Sequence, residues 1–282
     1  MHGFADRAST WLRPDNALVS RLVEAGYRWD VQQLVPFSYP TQPGLADEDA
    51  EGDIAVAGQA LARAVRDLAG RAASGQVDLL GFSMGGLVGR WAINSLRDES
   101  NGRPMVNTAV SLAAPNNGAD ILLWLARLGL PGQEAVGDLA RDVVGLDLDS
   151  VGARQMMPRS EFLGQLNRPE LADDRVRYVT VAGSVEISLR LLGLGAFEVG
   201  DGFISAVSAG YLPGLTASSY VLRDRISDDG NLWQALARSD AFHARLLYND
   251  NAALAVAAEL ASWSALRAQL DEGLASGRIA LV

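Results

Sequence analysis

The feature that most constrains this chain is the stretch Val77–Arg97, where an apolar run gives way to a glycine-rich turn and then to helical periodicity. The apolar run breaks at Gly81, and apolar side chains recur at helical spacing after Gly85. Ser83 stands at the centre of this G-x-S-x-G pattern. A serine at the tip of so tight a strand-to-helix turn has its hydroxyl lifted clear of the sheet, and glycines are needed where backbone passes too close for a β-carbon. The stretch therefore predicts a strand, a nucleophile-bearing turn and a helix, with the Met84 N–H at the positive end of the helix.

Composition sets the class of protein. The 282 residues are 49% apolar and 21% charged, which suits one α/β domain or one domain with a sizeable insertion. No apolar run is long enough to span a membrane. The net charge of −10, with arginine as the only basic residue counted, argues against nucleic acid as a partner and against docking on anionic lipid through a basic patch. The absence of cysteine excludes disulfides, thiolate catalysis and cysteine-ligated zinc, but it does not decide the compartment.

The remaining pattern alternates strands with helices, which implies a mostly parallel sheet covered by helices on both faces. The expected strands are residues 31–38, 77–80, 105–113, 176–181 and 220–222. The expected helices besides the one after Gly85 are residues 15–25, 54–68 and a terminal helix over 256–270. Short apolar helical pieces separated by glycine and proline fill residues 121–166, which predicts an insertion over the carboxyl edge of the sheet. We therefore divide the chain into a core of residues 1–120 and 167–282 and an insertion of residues 121–166.

A serine hydroxyl needs a base within hydrogen-bond reach, and histidine is the side chain suited to that role. The chain has two histidines, His2 and His243. In a fold of this type the order along the chain is serine, then acid, then histidine, and only His243 follows Ser83. We expect His243 to be the base and His2 to be a loop-stabilising side chain.

The acid that orients the histidine should leave a late strand on a tight turn. Many carboxylates lie between Ser83 and His243. Asp201 is preferred because glycines flank it and the apolar pair Phe203-Ile204 follows. Glu186 follows a clearer strand and remains the competitor.

An acyl-transfer site also needs N–H donors for a developing oxyanion. One is the Met84 N–H, at the start of the helix. The second should come from a glycine-bearing loop after an earlier strand, and the loop His2-Gly3-Phe4 has that form. The Phe4 N–H is the candidate.

Several pieces in this order along the chain resemble one family. They are His2-Gly3-Phe4 with Trp11, Ser38-Tyr39-Pro40, Gly81–Gly86, Ala114–Gly118, Asp201–Ile204 with Ser205, and His243. The sequence resembles the lipase and esterase branch of the α/β-hydrolase fold, which includes bacterial triacylglycerol lipases and relatives of GPI-inositol deacylases. The resemblance implies a serine hydrolase of carboxylic esters, with lipid or long-chain acyl esters as substrates and no cofactor. It also implies that residues 121–166 form a lid that makes transient contact with a lipid surface, although the same leucines suit core packing.

The sequence departs from this pattern at its start. The family's oxyanion loop follows a buried strand beside the nucleophile strand, whereas here the loop comes first. Either the true start lies upstream of the sequence as written or the sheet has lost this strand, and we expect the former. Because an upstream start would carry any secretion signal, the sequence leaves the compartment unknown: as written it fits a soluble cytoplasmic protein, and a longer form fits a secreted one.

Two rival functions fit the same residues. An acyltransferase or thioesterase would use the same serine, acid and histidine and differ only in its acceptor. A non-catalytic lipid-binding relative belongs to another class, and a broken set of catalytic residues would be its signature. No metal ligands are expected, because no calcium-ligand motif is present.

Overall fold

The computed structural model describes residues 1–4, 6–29, 33–38, 52–99, 102–120, 149–188, 196–215, 217–227, 232–261 and 264–281. Within these residues six strands form one sheet. The strands are β1 (Val77–Phe82), β2 (Val106–Leu112), β3 (Arg177–Ser188), β4 (Ala196–Glu198), β5 (Ala217–Ser227) and β6 (Ile279–Leu281). Their order is β1-β2-β3-β5-β6, with β4 paired to β3. The first four strands of that order run parallel, and β6 and β4 run antiparallel to their neighbours.

Helices cover both faces of the sheet. The described α-helices are α1 (Ala17–Glu24), α2 (Ile54–Arg71), α3 (Met84–Leu96), α4 (Val151–Gln155), α5 (Glu161–Leu166), α6 (Ala206–Gly210), α7 (Leu232–Arg238), α8 (Asp250–Leu260) and α9 (Ser264–Ala275), and His243 begins a short 3₁₀ helix, His243–Tyr248. Side chains of α2, α3 and α5 pack in one buried cluster with one face of the sheet. Side chains of α1, α8 and α9 pack in another cluster with the opposite face. The expected mostly parallel sheet with helices on both faces is confirmed.

Alternation along the strands explains this division. Leu79 of β1 and Tyr178 of β3 belong to the first cluster. Phe82 and Val179, which point to the other face of the same strands, belong to the second cluster. Because both faces are apolar, the parallel strands are buried between two helical layers.

The strand β3 is the longest of the described strands and carries the chain toward the site. Its pairing with β2 ends at Val181, whereas its pairing with β5 continues to Ser188. The projecting end pairs antiparallel with β4 and returns the chain to Asp201. The acid candidate is therefore brought back to the carboxyl edge of the parallel strands, where β1 and β2 also end.

Met1 lies beside the outer edge of β1. Its nitrogen donates to the carbonyl oxygen of Leu80 at 2.7 Å, and its carbonyl oxygen accepts from the Phe82 N–H at 3.1 Å. These are the bonds of a parallel ladder. The loop His2–Phe4 thus starts from a strand-like residue next to the nucleophile strand. Met1 and β1 also line a groove of about 660 Å³ with mainly apolar walls.

Some expected elements differ from those observed. The described part of the strand expected at 31–38, residues 33–38, is not a strand. The single terminal helix is two helices, α8 and α9, and β5 is longer than the expected 220–222. Of the expected insertion, residues 121–148 lie outside the described residues. The part that follows them contributes Phe162 and Leu166 of α5 to the core beside α3.

The described helices include none with both the length and the apolar character needed to cross a bilayer.

Candidate active site

Ser83 occupies the predicted turn between β1 and α3. Its φ of 52° and ψ of −126° lie outside the regions that side-chain-bearing residues prefer, so the residue is strained. A β-carbon on Gly81 would lie 2.5 Å from the Gly85 carbonyl carbon, and one on Gly85 would lie 2.6 Å from the His2 carbonyl oxygen. The two glycines of the motif are therefore required by close backbone approach. The Ser83 N–H donates to the Leu112 carbonyl oxygen at 2.8 Å, which ties the turn to the end of β2.

His243 bridges the serine and the acid candidate. Its Nε2 lies 2.9 Å from the Ser83 Oγ, and its Nδ1 lies 2.7 Å from Asp201 Oδ2. A carboxylate oxygen only accepts, so Nδ1 carries the proton and Nε2 is free to accept from the serine hydroxyl. The structure thus brings together three residues that are far apart in the sequence.

Asp201 is buried and held in place by backbone groups. Its side chain is 1% exposed. Oδ1 accepts from the Phe203 N–H at 3.0 Å and from the Ile204 N–H at 2.8 Å. Its own carbonyl oxygen accepts from the His243 N–H at 2.9 Å. The two carboxylate oxygens therefore have separate partners, because Oδ1 fixes the turn and Oδ2 faces the imidazole.

The competing carboxylate, Glu186, lies elsewhere. It pairs with Arg225 of the neighbouring strand at 2.7 Å, and both side chains are solvent-exposed. Its position in β3 places it opposite Glu198 of β4 and away from the histidine contact made by Asp201.

Aromatic rings surround the histidine. The ring of Phe82 lies 5.0 Å from the His243 ring and that of Phe203 lies 5.4 Å from it, measured between centroids. Phe242 packs in turn on Phe203 at 5.8 Å. The sequence pattern did not mark these rings as part of the site. The available signal was adjacency, since Phe82 and Phe242 directly precede Ser83 and His243.

The loop His2–Phe4 runs beside the nucleophile. A β-carbon on Gly3 would lie 3.2 Å from the Ser83 Cβ. His2 is 1% exposed, and its Nδ1 lies 3.1 Å from the Gly3 carbonyl oxygen. Burial lowers the pKa of His2, an effect that its backbone hydrogen bond opposes. The Phe4 N–H follows Gly3, and the Met84 N–H is one of the donors that the first turn of α3 does not use internally.

In the part of the chain that the structure describes, no cluster of histidine and carboxylate side chains is arranged to hold a metal ion.

Comparison with protein families adds to this geometry. Residues 43–119 match the family model described as "Putative serine esterase (DUF676)". The matched segment contains β1, Ser83, α3 and β2. The expected resemblance to serine esterases is thereby confirmed over this segment, and the match supports serine hydrolase activity. No curated protein matches the sequence significantly.

Among solved structures, the chain is similar to the mature Bacillus licheniformis lipase BlEst2, with 17% identity, a TM-score of 0.48, and coverage of 77% of this chain and 81% of that one. Aspergillus fumigatus lipase B gives 16% identity and a TM-score of 0.49 over 91% of this chain and 50% of that one. The RedJ thioesterase from the prodiginine biosynthetic pathway of Streptomyces coelicolor gives 20% identity and a TM-score of 0.40, over 87% of this chain and 81% of that one.

Proposed function

We propose that the protein hydrolyses carboxylic esters through an acyl-enzyme on Ser83. The observation that carries the proposal is the continuous pair of contacts from the serine hydroxyl to the His243 imidazole, at 2.9 Å, and from the imidazole to the Asp201 carboxylate, at 2.7 Å. This is the geometry that makes a serine nucleophilic at neutral pH.

In the proposed reaction the Ser83 Oγ attacks the acyl carbonyl carbon while His243 Nε2 takes the hydroxyl proton. Asp201 holds the ring in the required tautomer and stabilises the imidazolium. Nε2 then gives the proton to the leaving alcohol as the ester C–O bond breaks. A water molecule, deprotonated by the same nitrogen, attacks the acyl-enzyme and releases the acid and the free serine.

The oxyanion donors in this proposal are the backbone N–H groups of Phe4 and Met84. Two features support them: Gly3 packs against the Ser83 Cβ, and Met84 begins α3 directly after the nucleophile. Donors held in fixed backbone cost little reorganisation when charge develops on the carbonyl oxygen.

The proposed substrates are lipid-like or other long-chain acyl esters. Aromatic rings around His243 and the apolar pieces within residues 121–166 support this class. We also propose that the chain divides into a core of residues 1–120 and 167–282 and a cap within residues 121–166, through which the protein would touch a lipid surface. In this division α5 is the end of the cap that packs on the core.

The experiment is hydrolysis of p-nitrophenyl acetate and p-nitrophenyl palmitate by the wild type, by Ser83→Ala and by the matched control Ser95→Ala. Ser95 lies on the same helix and is exposed. We expect Ser83→Ala to lose activity by a factor on the order of 10⁴ or more and Ser95→Ala to keep it. A higher kcat/KM on the long ester supports the lipid class, and product analysis with added alcohol separates hydrolysis from acyl transfer. A folded wild type without activity on either ester would reject the proposal.

A further inference from the structure

A second carboxylate lies close to the turn that carries the acid candidate. Asp120, in the segment after β2, accepts two hydrogen bonds from Ser205, one from its N–H at 2.8 Å and one from its Oγ at 2.6 Å. Ser205 directly follows Ile204, the residue that closes the Asp201 turn. The two partners are 85 residues apart in sequence, so this contact is a tertiary link between the end of β2 and the turn.

The turn itself is short and its geometry depends on its last residue. The Asp201 N–H donates to the Ile204 carbonyl oxygen at 3.0 Å, and the Ile204 N–H donates to Asp201 Oδ1 at 2.8 Å. The peptide unit that joins Ile204 to Ser205 therefore carries the acceptor for Asp201 at one end and the donor to Asp120 at the other. A shift of Ser205 would move this peptide unit and, with it, the Asp201 carboxylate.

The link is reinforced on the same side of the molecule. Ser205 begins α6 as its N-cap, because its Oγ accepts from the Ser208 N–H at 3.0 Å. The Ser208 hydroxyl in turn donates to the Gly118 carbonyl oxygen at 2.7 Å. The segment 118–120 thus holds the start of α6 at two points, and at Asp120 both carboxylate oxygens accept from Ser205.

From this arrangement we propose that Asp120 is a positioning residue for Asp201, the acid candidate. Asp120 acts through Ser205, which it holds in place. With Ser205 fixed, Asp201 Oδ1 continues to accept from the N–H groups of its turn and Oδ2 continues to accept from His243. The inference rests on the proposed function, and no contact of Asp120 with the reacting atoms is involved. N-capping of α6 alone does not account for the contact between Asp120 and Ser205. The Ser205 N–H, which donates to Asp120 Oδ1, precedes the helix and is not one of the groups that an N-cap satisfies.

The test compares Asp120→Ala, Asp120→Asn and Ser205→Ala with the control Asp173→Ala. An asparagine keeps an acceptor for the Ser205 N–H and a polar group for its hydroxyl, whereas alanine keeps neither. Asp173 is another structural carboxylate, 3% exposed, and it binds Arg175, two residues further along the chain, near the amino end of β3. Its loss would affect folding without reaching the Asp201 turn.

The first readout is ester hydrolysis, in which the change in kcat is compared with the change in KM for each variant. We expect Asp120→Ala to lower kcat by about ten- to a hundredfold through misplacement of the acid, with KM within about twofold. Asp120→Asn should restore kcat to near the wild-type value, and Asp173→Ala should leave kcat unchanged. Ser205→Ala should cause a smaller loss, and the double variant Asp120→Ala/Ser205→Ala should be no worse than Asp120→Ala alone.

The second readout needs no catalytic activity. The proton that His243 Nδ1 donates to Asp201 gives a proton NMR resonance far downfield of the amide region. We expect Asp120→Ala to shift or broaden this resonance and Asp120→Asn and Asp173→Ala to preserve it. If the wild type has no esterase activity, the proposed function fails while this readout still tests the positioning role.

Three results would overturn the inference. One is an unchanged kcat and an unchanged resonance in Asp120→Ala. Another is an Asp120→Asn variant as impaired as Asp120→Ala, which would assign the effect to charge and not to position. The third applies if Asp120→Ala does not fold: full wild-type kcat and resonance in Ser205→Ala would then reject the link.

Discussion

The two halves of the candidate site are built in different ways. Ser83 is positioned mainly by the contiguous unit β1–turn–α3, in which strand, glycines and helix follow each other directly. His243 and Asp201 are 42 residues apart and meet because β3 projects beyond β2, pairs with β4 and returns the chain to the sheet edge. The nucleophile half therefore depends on local backbone geometry, and the histidine half depends on long-range packing and hydrogen bonds.

The two halves are therefore sensitive to different kinds of substitution. A local turn with no room for a β-carbon fails by steric clash. A tertiary arrangement fails by losing one hydrogen-bond partner while the rest of the fold remains. Changes to the glycines of the nucleophile half should therefore mainly lower folding stability, and changes to the side chains of the histidine half should mainly lower activity.

The largest effect is expected from the histidine half. His243→Ala should lower kcat by a factor on the order of 10⁴ or more, because the serine loses its base. Asp201→Asn should lower kcat by a similar order while keeping an acceptor for the turn, and Asp201→Ala should also lower the free energy of unfolding. Ester hydrolysis and urea denaturation of the three variants provide the check. An Asp201→Asn variant with full activity would show that Asp201 is not the acid that orients His243.

The next effect concerns the nucleophile half. Gly81→Ala places a methyl group 2.5 Å from the backbone of Gly85 and Gly86. We expect a loss of about 3 kcal/mol in the free energy of unfolding, or no folded protein. The matched control is Gly164→Ala, in α5, where a β-carbon meets nothing within 4 Å. It should raise stability by about 0.5–1 kcal/mol. Equal stability of the two variants, measured by urea denaturation, would contradict the steric account.

The smallest effect is the pH dependence contributed by His2. Burial lowers its folded-state pKa below the usual 6.5. The unfolded chain therefore gains the proton first as pH falls. The contribution of neutral His2 to stability is complete above pH 6.5. It is lost as pH falls from 6.5 toward the folded-state pKa of His2. Between pH 7.5 and 5.5 the wild type should lose more of its free energy of unfolding than His2→Asn loses. Urea titrations at the two pH values measure this difference, and parallel losses in both proteins would assign the pH dependence to other groups.

The same division explains how much the sequence could predict. The strand beginning at Val77 and the helix after Ser83 were expected and appear at these positions, because local pattern was enough. The choice between two histidines was also enough to single out His243, the one that contacts Ser83. The length of β5 was not predictable, since Ser218, Arg223 and Asp224 interrupt its apolar pattern and pairing with β3 stabilises it. The carboxylate facing His243 could not be fixed from the sequence because tertiary pairing decides between Asp201 and Glu186. Asp120 had no local signal at all.

The activation of Ser83 by His243 is tested most directly by labelling with a fluorophosphonate probe, followed by intact-mass measurement and peptide mapping. The probe reacts with a serine hydroxyl only where a base activates it. We expect one equivalent of label on Ser83 in the wild type, none in Ser83→Ala, and a rate in His243→Ala lower by a factor on the order of 10³ or more. A folded wild type that takes up no label, or that carries the label on another residue, would contradict the account.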